Sequence, residues 1–316
     1  MPATRAQLVC GPAKVVRDTG ILYTQDDIGI NIVQTTIPHR SSAHGHLFET
    51  ADSATVEASF TPEGRWDSLT RAMLWPYLNF TRGASIFGAT DVPTVFHGVD
   101  GGKHTIHASA IGNFPSIHLS SGRSMIGQVT ILGVRKTGIP WSTDNGLYKS
   151  DDTDAVFADT TFLRELVKVQ DYTGVWGNVS GFGAIKTQDG WTIEGNLQLE
   201  AIPTDEGGIL DYKYVSLEIM AKCSPVEVTM TNLIAGLKVQ NTGAARGRRL
   251  CQALADVDDL VITGTDDATV VVTLKHAGLK TAGFRFGSSV LREGEIGFVA
   301  ARPFTNGATT DMMTLA

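Results

Sequence analysis

The sequence predicts a mainly β protein made of two tandem copies of one β-rich domain, each copy carrying one flanking α-helix. Three observations lead there. Four short segments recur in the same order at nearly constant spacing. Polar and apolar residues alternate within the recurring segments. Gly is abundant, at 34 of 316 residues, while charged residues make up only 19%. Much glycine and little charge suit short strands joined by turns. A supersecondary unit used twice points to a duplicated domain.

The recurrence runs the length of the chain. Tyr23–Ile30 (YTQDDIGI) answers Lys186–Ile193 (KTQDGWTI), with Gln25 opposite Gln188 at 188 − 25 = 163. Ile37-Pro38 answers Ile202-Pro203 at an offset of 165, and Val56–Thr61 (VEASFT) answers Val226–Thr231 (VEVTMT) at 170. Ile117–Arg135 answers Phe284–Arg302 at 167. The boundaries that follow are a first domain with an N-terminal arm over 1–136, a linker or insertion over 137–177, a second domain over 178–303 and a C-terminal tail over 304–316. The acidic, turn-rich SDDTD at Ser150–Asp154 marks the linker, which also carries a helical pattern at Thr160–Val169.

Within each copy the strands read by period two. Val56, Ala58 and Phe60 alternate with Glu57, Ser59 and Thr61, as Val226, Val228 and Met230 alternate with Glu227, Thr229 and Thr231. Val129 and Ile131 share a face in the last strand, as do Ile296 and Phe298. Thr105–Ile111 and Thr269–Leu274 read as the strands before them, each reached through a turn. One helix per copy is expected. In the first, Thr61-Pro62 reads as N-cap and first helical position, with Trp66, Leu69, Met73 and Tyr77 at helical spacing; in the second, Leu250, Ala253, Leu254 and Val257 recur likewise.

Composition excludes several function classes. The formal net charge of −7 and the absence of an arginine-rich stripe argue against a nucleic-acid groove; the best basic cluster, Arg246, Arg248 and Arg249, reads as a loop or helix start. Cys10, Cys223 and Cys251 are odd in number and lie far apart, which favours a reduced compartment over a disulfide framework. The N-terminus lacks a signal-peptide core and no run approaches a membrane span, so the expectation is a cytoplasmic product with no membrane partner.

No motif carries catalysis, and the chain is read as no enzyme, with no catalytic residue. His39, His44 and His46 lie in the segment Pro38–Ala54, but HxxxxHxH lacks a fourth ligand, so no metal is expected. Gly98–Thr105 has three residues, not four, before its Gly-Lys pair, and His104 follows Lys103; it reads as a hairpin turn, not a phosphate loop. No nucleophile elbow, HExxH pair or dinucleotide fingerprint occurs, and no cofactor is expected. The acid pairs Asp26/Asp27 and Asp151/Asp152 read as turns.

Three features in residues 50–150 carry a family resemblance: LWPYLN at Leu74–Asn79, the GxxIFG turn at Gly83–Gly88, and the SxxxxIGQVT strand ending the block. The segment resembles the major tail (tail tube) proteins of long-tailed bacteriophages. The resemblance implies a virion structural protein whose domains are tail-tube-like β-sandwiches or barrels, the inner sheet joining neighbours into a ring. Single-domain members form hexameric rings, so a duplicated chain implies a trimeric, pseudo-hexameric ring. Rings stacked into a tube would conduct phage DNA without binding it specifically, and would meet terminator, distal tail or baseplate, and tape-measure proteins at the tube ends. Assembly is expected in the bacterial host cytoplasm, with the product in the virion tail. The matched polar positions Glu57, Gln128, Glu227 and Glu295 are the candidates for lining the lumen, where carboxylates would repel DNA phosphates. The segment with His39, Arg40, His44 and His46 is the candidate inter-ring loop. The alternatives are a ring or tube protein of a related secretion or contractile machine, and a β-sandwich carbohydrate-binding or adhesin module; the latter needs exposed aromatic residues in loops.

Overall fold

The computed structural model describes residues 14–25, 28–64, 66–88, 91–98, 102–120, 125–134, 146–151, 172–177, 184–204, 208–226, 258–264, 270–286, 291–301, 304–305, 308–309 and 311–316. They form a mainly β protein of several antiparallel sheets with one short α-helix. The strands of the first half are β1 (Lys14–Arg17), β2 (Gly20–Tyr23), β3 (Gly29–Ser41), β4 (Gly45–Phe60), β5 (Thr94–His97), β6 (Lys103–Ile106), β7 (Ala108–Ile111), β8 (Ile117–Leu119), β9 (Val129–Val134) and β10 (Tyr148–Asp151). Those of the second are β11 (Tyr172–Trp176), β12 (Ala184–Thr204), β13 (Gly208–Pro225), β14 (Asp258–Gly264), β15 (Val271–Phe286), β16 (Leu291–Val299), β17 (Phe304–Thr305), β18 (Ala308–Thr309) and β19 (Met313–Leu315).

The chain divides into two compact units. The first comprises Met1–Pro115, Gln128–Leu166 and Leu197–Ser216, and the second Ser116–Gly127, Val167–Asn196 and Leu217–Ala316. The first contains a sheet of order β10-β6-β5-β1-β2 and a sheet of order β3-β4-β9-β7. Alternate residues of β4 and β9 (Val56, Ala58, Phe60, Val129, Ile131) are buried, and Val15, Leu22, Phe96 and Ile106 come from the other sheet. Phe60 meets Phe96 edge to face, with ring centroids 6.1 Å apart.

The helix α1 spans Ser68–Leu74 and starts later than the Thr61-Pro62 pair predicts. Pro62 bridges Thr24 at the end of β4, and the Thr61 carbonyl accepts from the Gln25 N–H at 2.9 Å, so these residues still belong to the sheet. Asp67 is the cap instead: its carboxylate accepts the Thr70 N–H at 2.9 Å and the Thr70 hydroxyl at 3.1 Å. Thr70, Met73 and Leu74 are buried while Leu69 is exposed, so the apolar face differs from the predicted one by a residue. Pro76 ends the helix and opens a 3₁₀ turn over Pro76–Asn79.

In the second unit, β11 pairs with both β14 and β12, which closes the path β11-β14-β15-β16-β13-β12 on itself. Closure leaves no free edge within that cycle. Trp176, Trp191 and Phe298 are buried, with Phe298 5.2 Å from Trp176 and 6.2 Å from Trp191 between ring centroids. Gly174 is needed beside them, because a Cβ there would run into the Trp191 ring.

The same chain of strand pairings occurs in both halves. Strand β1 pairs with β5 and β2 as β11 pairs with β14 and β12. Val95↔Thr105 answers Ile262↔Val272, since 262 − 95 and 272 − 105 both equal 167. Phe60↔Val129 and Ala58↔Ile131 answer Cys223↔Ile296 and Ala221↔Phe298, with offsets of 163 on β4 and 167 on β9. Even the outer strands agree, because β10 adds to β6 as β19 adds to β15. The halves differ where β12 and β15 run unbroken and the first half splits the corresponding lengths into β2 and β3, and β6 and β7.

Candidate functional site

Among the described residues two long strand pairs, β3 with β4 and β12 with β13, stand out. The hairpin β3–β4 turns at 42–44, and β12 pairs with β13 in the second half, where the register at Phe60 and Cys223 gives β4 and β13 an offset of 223 − 60 = 163. Val56, Ala58 and Phe60 of β4 are buried. Beyond that point the arm meets solvent: Ile32, Val33, Ile37, Leu47 and Phe48 are between 48% and 54% exposed. The segment carrying His39, Arg40, His44 and His46 is therefore the tip of an extended arm, not the irregular loop the sequence predicts. Its alternation is hidden because both faces are wet.

The tip is two-faced. His39 stacks on Phe48 at 4.6 Å between ring centroids, beside Ile37 on the same strand face. Arg40 lies opposite His46, and Glu49 sits 3.9 Å from His46 Nε2 while accepting the Thr36 hydroxyl at 2.7 Å. A β-bulge between His39 and Arg40 brings this about, since the extra residue Leu47 turns His46 onto the face of Glu49.

The lumen candidates lie on outward sheet faces where the structure describes them. Glu57 is exposed on β4 opposite the Val56–Ala58 face, and Gln128 is exposed just before β9, its carbonyl accepting from Asn113 Nδ2 at 2.8 Å. Glu295 is exposed on β16 beside Lys222, whose ammonium donates to Glu194 at 2.7 Å. That hydrogen bond raises the Lys222 pKa, against an opposing desolvation cost, and the Glu194 and Glu295 charges add to the rise. Glu227 lies outside the described residues. The pairing of Val56 with Val226 needs correction: Val226 follows the last residue of β13, and the strand register puts Ile219 in correspondence with Val56. Glu57 thus answers Met220, at 220 − 57 = 163, rather than Glu227.

Residues that the sequence reading passed over complete this face. Lys280 of β15 donates to Glu218 of β13 at 2.7 Å, and with Lys222–Glu194 these cross-strand pairs make it a mixed-charge surface. The alternation of Glu and Lys between apolar positions in β13 was the available signal. Burial pushes the Cys223 thiol up on the opposite face, with the Glu295 charge adding to the effect.

The outer part of β12–β13, residues 197–216, packs within the first unit. Tyr212 and Tyr214 accept backbone N–H groups of Ile86 and Gly83 at 3.0 and 2.8 Å, and the Tyr214 N–H donates to the Ala84 carbonyl at 2.9 Å. The Ser85 hydroxyl donates to Asp211 at 2.7 Å, and Phe80 and Phe87 lie 6.2 and 6.3 Å from Tyr214 and Tyr212 between ring centroids. The GxxIFG motif is thus the partner of a sheet edge.

The hairpin predicted at Gly98–Thr105 is present, with His97 opposite Lys103. Trp66, Trp75, Trp176 and Trp191 are all at most 6% exposed, so none supplies an aromatic binding platform; Trp141 lies outside the described residues. Among the described residues no three His, Cys, Asp or Glu side chains are grouped to hold a metal. The expected helices at Thr160–Val169 and Leu250–Val257 also lie outside them. No model of a known protein family matches the chain, and no curated protein matches it.

Proposed function

We propose that this chain is a self-assembling structural protein of the tail-tube kind, a duplicated domain that closes into rings and stacks into a tube for genome passage. The observation carrying this reading is the recurrence of one path of strand pairings in the same register in both halves, each with a long hairpin standing off it. Duplicated units related by pseudo-symmetry suit ring closure, because one kind of contact can then be used both within and between chains. The first strand of each hairpin offers backbone for it. Among the described residues β3 pairs only with β4, and β12 pairs beyond Ile193 only with β13. An edge this long invites another chain.

In this reading three chains supply six domains to a ring. The outward sheet face bearing Glu57, Gln128 and Glu295 lines the lumen, and the hairpin tip with His39, Arg40, His44 and His46 reaches the next ring. The mixed charge at Glu194, Lys222 and Glu295 suits a conduit that neither holds nor strongly repels a polyanion. The proposed partners are further copies of the chain, tail proteins at the tube ends and DNA in transit. The test is the mass of the purified protein's assemblies: trimers or stacks of trimers are expected, and a chain that stays monomeric at high concentration would reject the reading.

A further inference from the structure

The contact between residues 211–214 and 83–86 indicates what the other hairpin is for. Positions Tyr212 and Tyr214 on β13 use their outward backbone groups to pair with Gly83–Ile86. The offset of 163 that relates β4 to β13 at Phe60 and Cys223 puts Glu49 and Ala51 of β4 in their places. Strand β4 pairs with β9 only over Val56–Phe60, so among the described residues the β4 edge at Glu49–Ala51 has no strand beside it on that side. Tyr212 and Tyr214 meet Phe87 and Phe80, while Phe48, in the place of Asp211, stands 54% exposed.

We propose that the Glu49–Ala51 edge of β4 is a docking edge for a second copy of this chain, which adds a short bridging segment to it as Gly83–Ile86 adds to Tyr212–Tyr214. The occupant is the second half of the neighbouring copy, because the first half's own bridging segment is already engaged. One arm is thus satisfied within its chain and the other must be satisfied by the next, which makes the contact head-to-tail and able to close a ring. Main-chain hydrogen bonds supply the affinity and burial of Leu47 and Phe48 the remainder. This rests on the ring-forming reading above and adds the β4 edge to the β3 and β12 edges offered there.

Hydrogen–deuterium exchange on the wild-type chain, diluted and assembled, tests it. The Tyr214 amide is expected to be slow in both states, and amides in peptides covering 48–53 to slow by roughly tenfold or more on assembly. A second arm uses A51P, which removes the edge donor: it is expected to abolish assembly, with the melting temperature reporting on folding. If rings form while 48–53 exchanges as fast as in the diluted chain, the docking edge is wrong and the ring reading stands. If no assembly forms at any concentration, the ring reading fails and takes the docking edge with it.

Discussion

Asp259 illustrates how single residues hold the second unit's strands in place. Strand β15 carries a bulge, with Lys275 and His276 opposing Asp259 of β14, and His276 adopts a φ of 44°, a left-handed conformation that costs a non-glycine residue energy. The Asp259 carboxylate accepts both the His276 N–H at 3.1 Å and the Lys275 ammonium at 2.6 Å, so it secures the bulge. Burial pushes its pKa up, but the hydrogen bonds from Lys275 and His276 and their charges outweigh that and leave it below the usual carboxylate range. A folded pKa below the unfolded one contributes stability that is present above about pH 4 and lost as pH falls through the folded value. Asp259→Asn is therefore expected to cost about 1 kcal/mol at pH 7 and nothing at pH 2, read from denaturant melts at both pH values. Gly174→Ala tests packing instead. Its methyl would strike Trp191, which is fully buried, so a loss of about 1–3 kcal/mol is expected at every pH.

The element that matters most is the β3–β4 arm. Leu47 and Phe48 lie about half exposed, so L47S with F48S is expected to shift stability by no more than about 0.5 kcal/mol. The same double variant is expected to weaken assembly, which sedimentation at graded concentrations would measure; unchanged assembly would remove the arm from the interface. Elements were legible in the sequence where one face is buried. Val129, Ile131, Ile296 and Phe298 alternate in the sequence, and all four are buried in corresponding strands. Matching by alternation alone failed at Val56 and Val226, 226 − 219 = 7 residues past the true counterpart Ile219 and beyond β13, because alternation in sequence does not say which of two neighbouring runs makes the pairing. The helix start was misplaced for a related reason: Thr61-Pro62 has the chemistry of a cap but is held in the sheet by Thr24 and Gln25, contacts far away in sequence. The arm itself was invisible as strand, since residues 36–41 and 45–49 meet water on both faces and show no periodicity. Candidate site residues were legible only as exposed polar positions. The cross-strand partners of Glu194 and Glu218, 28 and 62 residues away, come from folding.

At the scale of the whole molecule, the recurrence of pairings is what the proposed assembly rests on. In the proposed ring, the arm engaged within the chain and the exposed arm would make a head-to-tail joint repeated until it closes. A net charge of −7 per chain adds repulsion between copies, so assembly is expected to strengthen as salt rises toward physiological strength, which light scattering across a salt series would follow. The central claim is ring closure from a duplicated chain, and electron cryo-microscopy of the assembled protein tests it most directly. The account predicts rings of three chains with six similar densities around the lumen. Six chains per ring would contradict the trimer, and a protein that forms no ring at all would contradict the account as a whole.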